Sequence, residues 1–228
     1  MPTVINFTHL PALAILLSGA ALLVVFSLLI RRGFRPALRH LSAYSALHKQ
    51  VGEALESGRR VHIGVGSGSA YHEDAAATLA GLAVLGEVAQ LSAITDLPPV
   101  ATTSDASVLP LLSGTISQVA RDAGAAASSA PEGARMVAFD PLAMAGALTS
   151  VISDDRVHTS ILVGSFGAEA ALIAEAGARS QIEQMAGSDR LEGQAVACVA
   201  VDHPLLGEEI FVARAYLSGS RSALSAVL

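Results

Sequence analysis

The chain has a single cysteine, Cys198, no tryptophan and only 4% aromatic residues. One cysteine excludes an internal disulfide and is typical of a protein in a reducing compartment. The thiol stands in the apolar run 195–201, so we expect a small buried hydrophobic side chain and not a reactive group. Nucleic acid is not an expected partner, because Lys and Arg form no stripe beyond residue 39 and aromatic stacking platforms are missing.

Complete catalytic and metal-binding motifs are also missing. The seven histidines are scattered, without H-E-x-x-H and without a Cys/His cluster. The sequence GSFG at 164–167 lacks the G-x-S-x-G pattern, so Ser165 is not predicted to be a nucleophile. The acidic groups at 72–74 and 207–209 fit polar first turns of helices better than functional carboxylates. We therefore predict no catalytic residue, no metal site and no cofactor, and a non-enzymatic role is favoured.

A long uncharged run lies near the N-terminus. Residues 11–30 contain no charged side chain and are mostly Leu, Ala, Val and Ile. At about 1.5 Å rise per residue, a helix over this range would span the hydrocarbon layer of about 30 Å. We predict one transmembrane helix, with the lipid bilayer as its partner. A cleaved signal peptide is the alternative, but it would need a basic segment ahead of a shorter apolar core.

Charge is distributed unevenly around this run. No Lys or Arg occurs in residues 1–10, whereas Arg31, Arg32, Arg35 and Arg39 follow the run. The positive-inside rule then predicts the inner (plasma) membrane, with residues 1–10 outside and the rest of the chain in the cytoplasm. Beyond residue 39 there are 10 Lys or Arg and 20 Asp or Glu, a net charge of −10. An anionic leaflet would repel such an acidic domain.

The cytoplasmic part divides into three predicted segments. Residues 31–58 comprise the basic juxtamembrane segment and an amphipathic helix over 38–57, in which Tyr44, Leu47 and Val51 recur at steps of three or four. Residues 59–217 are predicted to form an α/β domain. Residues 218–228 are predicted to be a C-terminal tail.

Strand and helix patterns alternate along residues 59–217. Short β-branched and apolar runs predict strands at 60–65, 99–103, 134–139 and 159–163, with a further candidate at 180–185. Residues 195–201 fit either a sixth strand or part of a helix. Helices are predicted at 72–94, 107–123, 141–153, 168–178 and 207–217, with Asp140 as the N-cap of the third. This alternation predicts a Rossmann-like, three-layer α/β domain with a mostly parallel sheet.

A binding site in such a domain would lie beyond the carboxyl ends of the strands. The speculative ligand-binding residues at this edge are Gly64, Gly66, Ser67, Gly68, Ser69, Thr103, Asp105, Asp140 and Ser165. The first turn is similar to a phosphate cradle, because three glycines stand between a strand and a helix. However, Ser69 occupies the position where G-x-G-x-x-G requires its last glycine, and no P-loop lysine follows.

Three aspartates offer a second interpretation of the same edge. Asp105, Asp140 and Asp189 could jointly bind Mg²⁺ through water molecules. Each also stands where an N-cap aspartate belongs, and we favour that capping role. A nucleotide- or phosphate-binding module, or an enzyme acting at this edge, is the alternative to a domain without a ligand.

The predicted helix over 75–94 is unusually apolar, with Glu87 as its one charged residue. A helix that is apolar all round is first interpreted as a buried core helix. A second membrane span and a face that packs against another copy are the alternatives. Within the membrane helix, Ala14 and Ser18 form a small-xxx-small pair. We expect a homo-oligomer or a membrane-protein partner.

Four stretches suggest a family. ATLAGLAVLGEVA at 77–89, TTSD at 102–105, VGSFGAEAALIAEAGA at 163–178 and LLGEEIFVARAYL at 205–217 resemble an uncharacterised bacterial family of membrane-anchored domains of unknown function. The resemblance covers nearly the whole chain. It implies a Rossmann-like cytoplasmic domain, but it implies no reaction and no catalytic residue. The sequence thus predicts a membrane-anchored domain with a structural or interaction role.

Overall fold

A computed structural model describes residues 10–32, 39–93, 95, 97–124 and 133–217. Within these ranges, six strands form one parallel sheet in the order β3-β2-β1-β4-β5-β6. The strands are β1 (Arg60–Gly66), β2 (Val100–Thr103), β3 (Ala134–Met136), β4 (Val157–Ser165), β5 (Glu183–Ser188) and β6 (His203–Leu205). The predicted Rossmann-like α/β class is confirmed.

Helices precede the sheet and connect its strands. They are α1 (Leu10–Arg31), α2 (Ser42–Glu56), α3 (Ala75–Ser92), α4 (Leu109–Asp122), α5 (Pro141–Asp154), α6 (Ala170–Arg179), α7 (Leu191–Ala200), a 3₁₀ helix (Gly207–Val212) and α8 (Ala213–Leu217). The sequence stretch 195–201 is therefore mainly helical, and the last strand follows it. The predicted tail at 218–228 and residues 125–132, between α4 and β3, lie outside the described residues.

Helices cover both faces of the sheet. One face packs against α2, α3, α4, the 3₁₀ helix and α8, and the other packs against α5, α6 and α7. The predicted amphipathic helix is α2, which buries Tyr44, Leu47 and Val51 in the same core as β1. Consequently α2, which follows the arginine-rich residues 31–39, is packed into the domain.

The apolar helix α3 lies between the sheet and its helical neighbours. Val84, Leu85 and Val88 are fully buried, and α3 contacts β1, β4 and α4. Leu79 on its outer side is 59% exposed. α3 is long and apolar enough to cross a membrane, but half of it is buried within the domain. This packing is that of a core helix, and the additional contact with another copy stays a prediction.

Helix α1 makes a contrast with α3. Its most apolar stretch, Pro11–Leu29, has a mean hydropathy of 2.6, and none of it is buried. By length and composition α1 could be a membrane span or a signal sequence.

The prediction that Cys198 is buried is wrong, because the thiol is exposed. Helix α7 buries only Gly193 and Ala197, which lie one turn apart on its inner face. Cys198 follows Ala197 by one position, which turns its side chain about 100° away from that face. An apolar run in a short helix does not specify which of its residues are covered.

Candidate functional site

The topology places the candidate site where the strand order reverses. From β1 the chain proceeds outward to β2 and β3, then α5 returns it to β4 on the other side of β1. In sheets of this order, ligands bind between the carboxyl ends of the two central strands. Here those ends are Gly66 and Ser165, which are aligned in the sheet register. The predicted site residues of β1 and β4 therefore do meet.

Glycines allow the two turns to touch through their backbones. Gly66 has a φ of +82°, and a Cβ added there would lie 2.2 Å from the carbonyl oxygen of Ser165. A Cβ on Gly68 would lie 2.5 Å from Thr78 Oγ1. The ring of Phe166, which is fully buried, packs beside Gly64 and Gly66. The glycine-rich turn is thus in close contact with the chain's own atoms.

Most described amide groups of this turn already have acceptors. The N–H of Ser67 donates to the Ser165 carbonyl at 3.0 Å, and that of Ser69 donates to Asp74 Oδ1 at 3.2 Å. The amides of Ala70 and Tyr71 donate to the hydroxyls of Ser107 and Ser69 at 3.4 and 3.3 Å. A phosphate cradle uses such amides, together with a helix N-terminus free of negative charge. Here the Asp74 carboxylate stands directly before α3, so the N-terminus of α3 does not meet this requirement.

The turn after β2 is joined to the first turn by hydrogen bonds. Thr103 Oγ1 and the Ser104 amide both donate to the Gly66 carbonyl, at 3.3 and 3.0 Å. Asp105 Oδ1 accepts the Ser107 amide at 2.7 Å and also binds the Ser107 hydroxyl. Asp105 therefore stabilises the turn that leads into α4. These predicted residues are brought together, and their polar groups bind one another.

The three aspartates considered for Mg²⁺ do not share one role. Asp140 caps α5, because its Oδ1 accepts the amides of Leu142 and Ala143 at 3.0 Å each, as predicted. Asp189 does not cap α7, whose N-cap is Arg190, without a side-chain bond. Among the described residues, no group of three His, Cys, Asp or Glu side chains could hold a metal ion.

A buried histidine in the sheet was not predicted. His62 is fully buried on β1, with Nδ1 2.9 Å from Ser160 Oγ on β4 and Nε2 2.9 Å from Thr102 Oγ1 on β2. Burial lowers the pKa of His62 to about 4; the carboxylate of Asp155 opposes this shift, and Arg135 adds to it. A neutral ring with both nitrogens engaged and no exposed surface is a structural bridge between three strands. Its hydroxyl partners can be recognised only when the strand order is known.

Comparison with protein families finds a match over nearly the whole chain. A family model described as a domain of unknown function, DUF6754, matches residues 2–227. The chain belongs to the DUF6754 family. The expected resemblance to an uncharacterised family is thereby confirmed, and the family carries no assigned activity. No curated protein and no solved structure matched the chain.

The two ends of the described DUF6754 domain are joined by a polar latch, which consists of Arg39, Tyr44, Glu209 and Tyr216. The Arg39 guanidinium binds the Glu209 carboxylate. Tyr44 donates its hydroxyl to the Glu209 carbonyl at 2.6 Å, and Tyr216 donates to the Arg39 carbonyl at 2.5 Å. The two tyrosine rings are stacked with centroids 5.4 Å apart. Burial, and then the charge of Glu209, raises the pKa of Tyr44, which keeps its hydroxyl a donor.

A surface groove of the DUF6754 domain lies away from the predicted site. It has a volume of about 650 Å³ and runs between α5 and α6, lined by residues such as Thr149, Ser153 and Ala176. These residues belong to the later turns of their helices, which approach the amino ends of the strands. The groove therefore opens toward the opposite edge of the sheet from the glycine-rich turn.

Proposed function

We propose that the chain is a single-pass membrane protein of the inner (plasma) membrane, with its N-terminus outside and its α/β domain in the cytoplasm. The observation that carries this proposal is α1, whose Pro11–Leu29 stretch has a mean hydropathy of 2.6 and no buried part. Apolar surface of this extent is stable in lipid and costly in water. Arg31 and Arg32 at its end, with no Lys or Arg in residues 1–10, favour the stated orientation.

Within this proposal, the domain serves a structural or interaction role. The turns at the carboxyl ends of β1, β2 and β4 bind each other through Gly66, Thr103 and Ser165. Their polar groups are therefore engaged in stabilising the fold. This favours a domain that binds other proteins over a domain that catalyses a reaction.

Labelling of Cys198 tests location and orientation together, because this thiol is unique and exposed. The full chain is expected in the membrane fraction after alkaline washing. A maleimide that cannot cross membranes should label Cys198 only after the cells are permeabilised. The matched control is Thr3→Cys in a Cys198→Ser background, which should be labelled in intact cells.

Two results would contradict the proposal. Recovery of the intact chain in the soluble fraction would contradict the membrane location, and a chain shortened by cleavage near residue 30 would identify α1 as a signal sequence. Labelling of Cys198 in intact cells would show that the domain lies outside, opposite to the proposed orientation.

The strand order supports a second candidate function, a nucleotide- or phosphate-ligand-binding module. The glycine-rich turn of Gly64–Ser69 stands at the reversal point used by dinucleotide-binding domains. A thermal-shift series with nucleotides and phosphorylated sugars tests this candidate. A ligand at this turn should raise the melting temperature of the chain, and Ser67→Ala should reduce that rise. If the melting temperature is constant across the series, the candidate is wrong.

A further inference from the structure

Exposed apolar side chains are concentrated at one edge of the domain. Ten large hydrophobic residues of the described domain are exposed. Leu79 and Val199 lie away from the connections that leave the carboxyl ends of the strands, and Leu172 lines the groove between α5 and α6. The most exposed of the others are Tyr71 after β1, Phe139 after β3 and Leu191 after β5, at 83%, 76% and 78%. We call this set the rim; its further members include Leu142, Leu206 and Phe211. Exposed apolar side chains gathered at one edge of a domain are candidates for an interaction surface.

The membrane tether enters at the same edge. Tyr44 near the start of α2 binds Glu209 after β6, whereas Gln50 farther along α2 binds Thr159 and Glu183 near the amino ends of β4 and β5. Helix α2 therefore begins at the rim. Arg39 lies eight positions after Arg31, and this length of chain reaches at most about 29 Å. On the proposed membrane location, the rim stands close to the cytoplasmic leaflet.

The exposed charged side chains of the rim are mostly acidic, with Arg190 as an exposed basic residue among them. Glu73, Asp140, Asp189, Glu192 and Glu208 are exposed in the same connections. An anionic lipid surface repels these carboxylates, so bare lipid is a poor partner for the rim. A basic surface at the same distance from the membrane is complementary in charge to the rim.

The chain itself carries such a surface. Arg31, Arg32 and Arg35, which we call the collar, lie in the sequence at the end of α1 and just after it. The next arginine along, Arg39, already binds the Glu209 carboxylate beside the rim, which shows that the chemistry of this pairing is available. Membrane tethering holds the collar of one copy and the rim of its neighbour in one plane, and this raises their effective concentration.

We infer that the rim is a self-association surface, on which the apolar side chains and carboxylates of one copy dock against the collar segment of a second copy. This inference rests on the proposed membrane location and names the partner as another copy of this chain. A symmetric pair would form the rim–collar contact twice.

Energy transfer between copies labelled on Cys198 tests the inference. Cys198 lies in the last turn of α7, away from the rim, so donor and acceptor dyes can be attached without a substitution. The full chain is reconstituted in neutral phosphatidylcholine vesicles, and association is measured against protein density. Leu191→Ser should weaken association about tenfold, because it removes most of the apolar surface that one leucine side chain would bury in the interface. Val199→Ser is the matched control on the same helix, 85% exposed but at the opposite end, and should leave association unchanged.

Charge reversal provides an independent measurement. Asp189→Lys with Glu192→Lys should weaken association, and raised salt should weaken the unsubstituted chain in the same direction. Glu56→Lys, at the end of α2 on the far edge, is the control and should have no effect. A chain that is monomeric in the vesicles at every density would overturn the inference while the membrane location stands. Equal losses for Leu191→Ser and Val199→Ser would also overturn it, whereas a chain that fails to enter the membrane fraction would contradict the proposed function itself.

Discussion

His62 is stable at the centre of the sheet only as a neutral ring. Its two nitrogens contact Ser160 and Thr102, and no carboxylate contacts it directly. Protonation would leave an uncompensated charge in a fully buried position. The pKa of this ring is lowered from 6.5 to about 4, so between these two values the unfolded chain binds the additional proton.

Stability should therefore fall as the pH is lowered from about 6.5 toward 4. The native state loses stability in this window because protons bind the unfolded ring more tightly, and the total loss is about 3 kcal/mol. Urea unfolding of the detergent-solubilised chain at a series of pH values measures it. His62→Gln should lower stability at pH 7 and flatten the pH dependence. The exposed His72→Gln is the control, and an equal flattening there would refute the assignment to His62.

Gly66 is a second residue whose neighbours determine its identity. Gly66→Ala should destabilise the domain by more than about 3 kcal/mol, because its φ is +82° and the new Cβ would meet the Ser165 carbonyl at 2.2 Å. Gly146→Ala, on an exposed part of α5 with nothing within 4 Å of the new Cβ, should instead stabilise by about 0.5–1 kcal/mol. Thermal unfolding should show a lower melting temperature for Gly66→Ala and a higher one for Gly146→Ala. If both substitutions are tolerated equally, the two turns do not touch as described.

Residue roles were predictable from sequence where they depend on local chain geometry. Asp140 was identified as an N-cap because its position relative to Pro141 is sufficient for that role. His62 and Cys198 were not correctly assigned, since their environments depend on which strands are neighbours and which helix face meets the sheet. The predicted binding residues other than Asp140 meet at one edge, but their ligand stays a prediction.

At the scale of the element, caps distinguish two aspartates that look alike in sequence. Asp140→Ala should lower the free energy of unfolding by about 1 kcal/mol, because α5 loses two hydrogen bonds to its first amides. Asp189→Ala should change stability by less than about 0.5 kcal/mol, since this exposed carboxylate does not cap α7. Chemical denaturation curves of both variants give the comparison. Equal losses would place Asp189 in a capping role after all.

Strands with a clear apolar or β-branched run were predictable, including the short strands β2 and β3, whereas β6 was not. Strands β1 and β4 are buried along nearly their whole length and were found close to their bounds. Strand β6 has three residues and lies at the edge of the sheet, so neither periodicity nor length distinguishes it from a loop. Strand order was not predictable, because it depends on contacts between segments far apart in the chain.

At the scale of the whole molecule, the domain should begin at Arg39. A chain shortened to start there keeps α2 and the latch, and we expect it to be soluble and to unfold cooperatively. A chain that starts at Arg60 lacks the buried side chains of Tyr44, Leu47 and Val51, and exposes the sheet face that they cover. We expect that second chain to aggregate. Size-exclusion chromatography and circular dichroism compare the two.

A single substitution provides the control for this truncation. Leu47→Ala in the full chain should cost about 2–5 kcal/mol, because Leu47 has no exposed surface. If the chain starting at Arg60 unfolds at the same temperature as the one starting at Arg39, α2 is only a linker between α1 and the domain.

The latch also sets the order in which the protein can be completed during biosynthesis. Tyr44 and Glu209 are separated by 165 positions, so the acceptor for the tyrosine hydroxyl is synthesised long after the donor. At about 5–20 residues per second, this interval lasts on the order of 10 to 30 s. Throughout this interval, α2 of the nascent chain would have only part of the sheet to pack against. A premature stop before Tyr216 would leave that surface permanently open, and quality-control proteases would be expected to remove such chains.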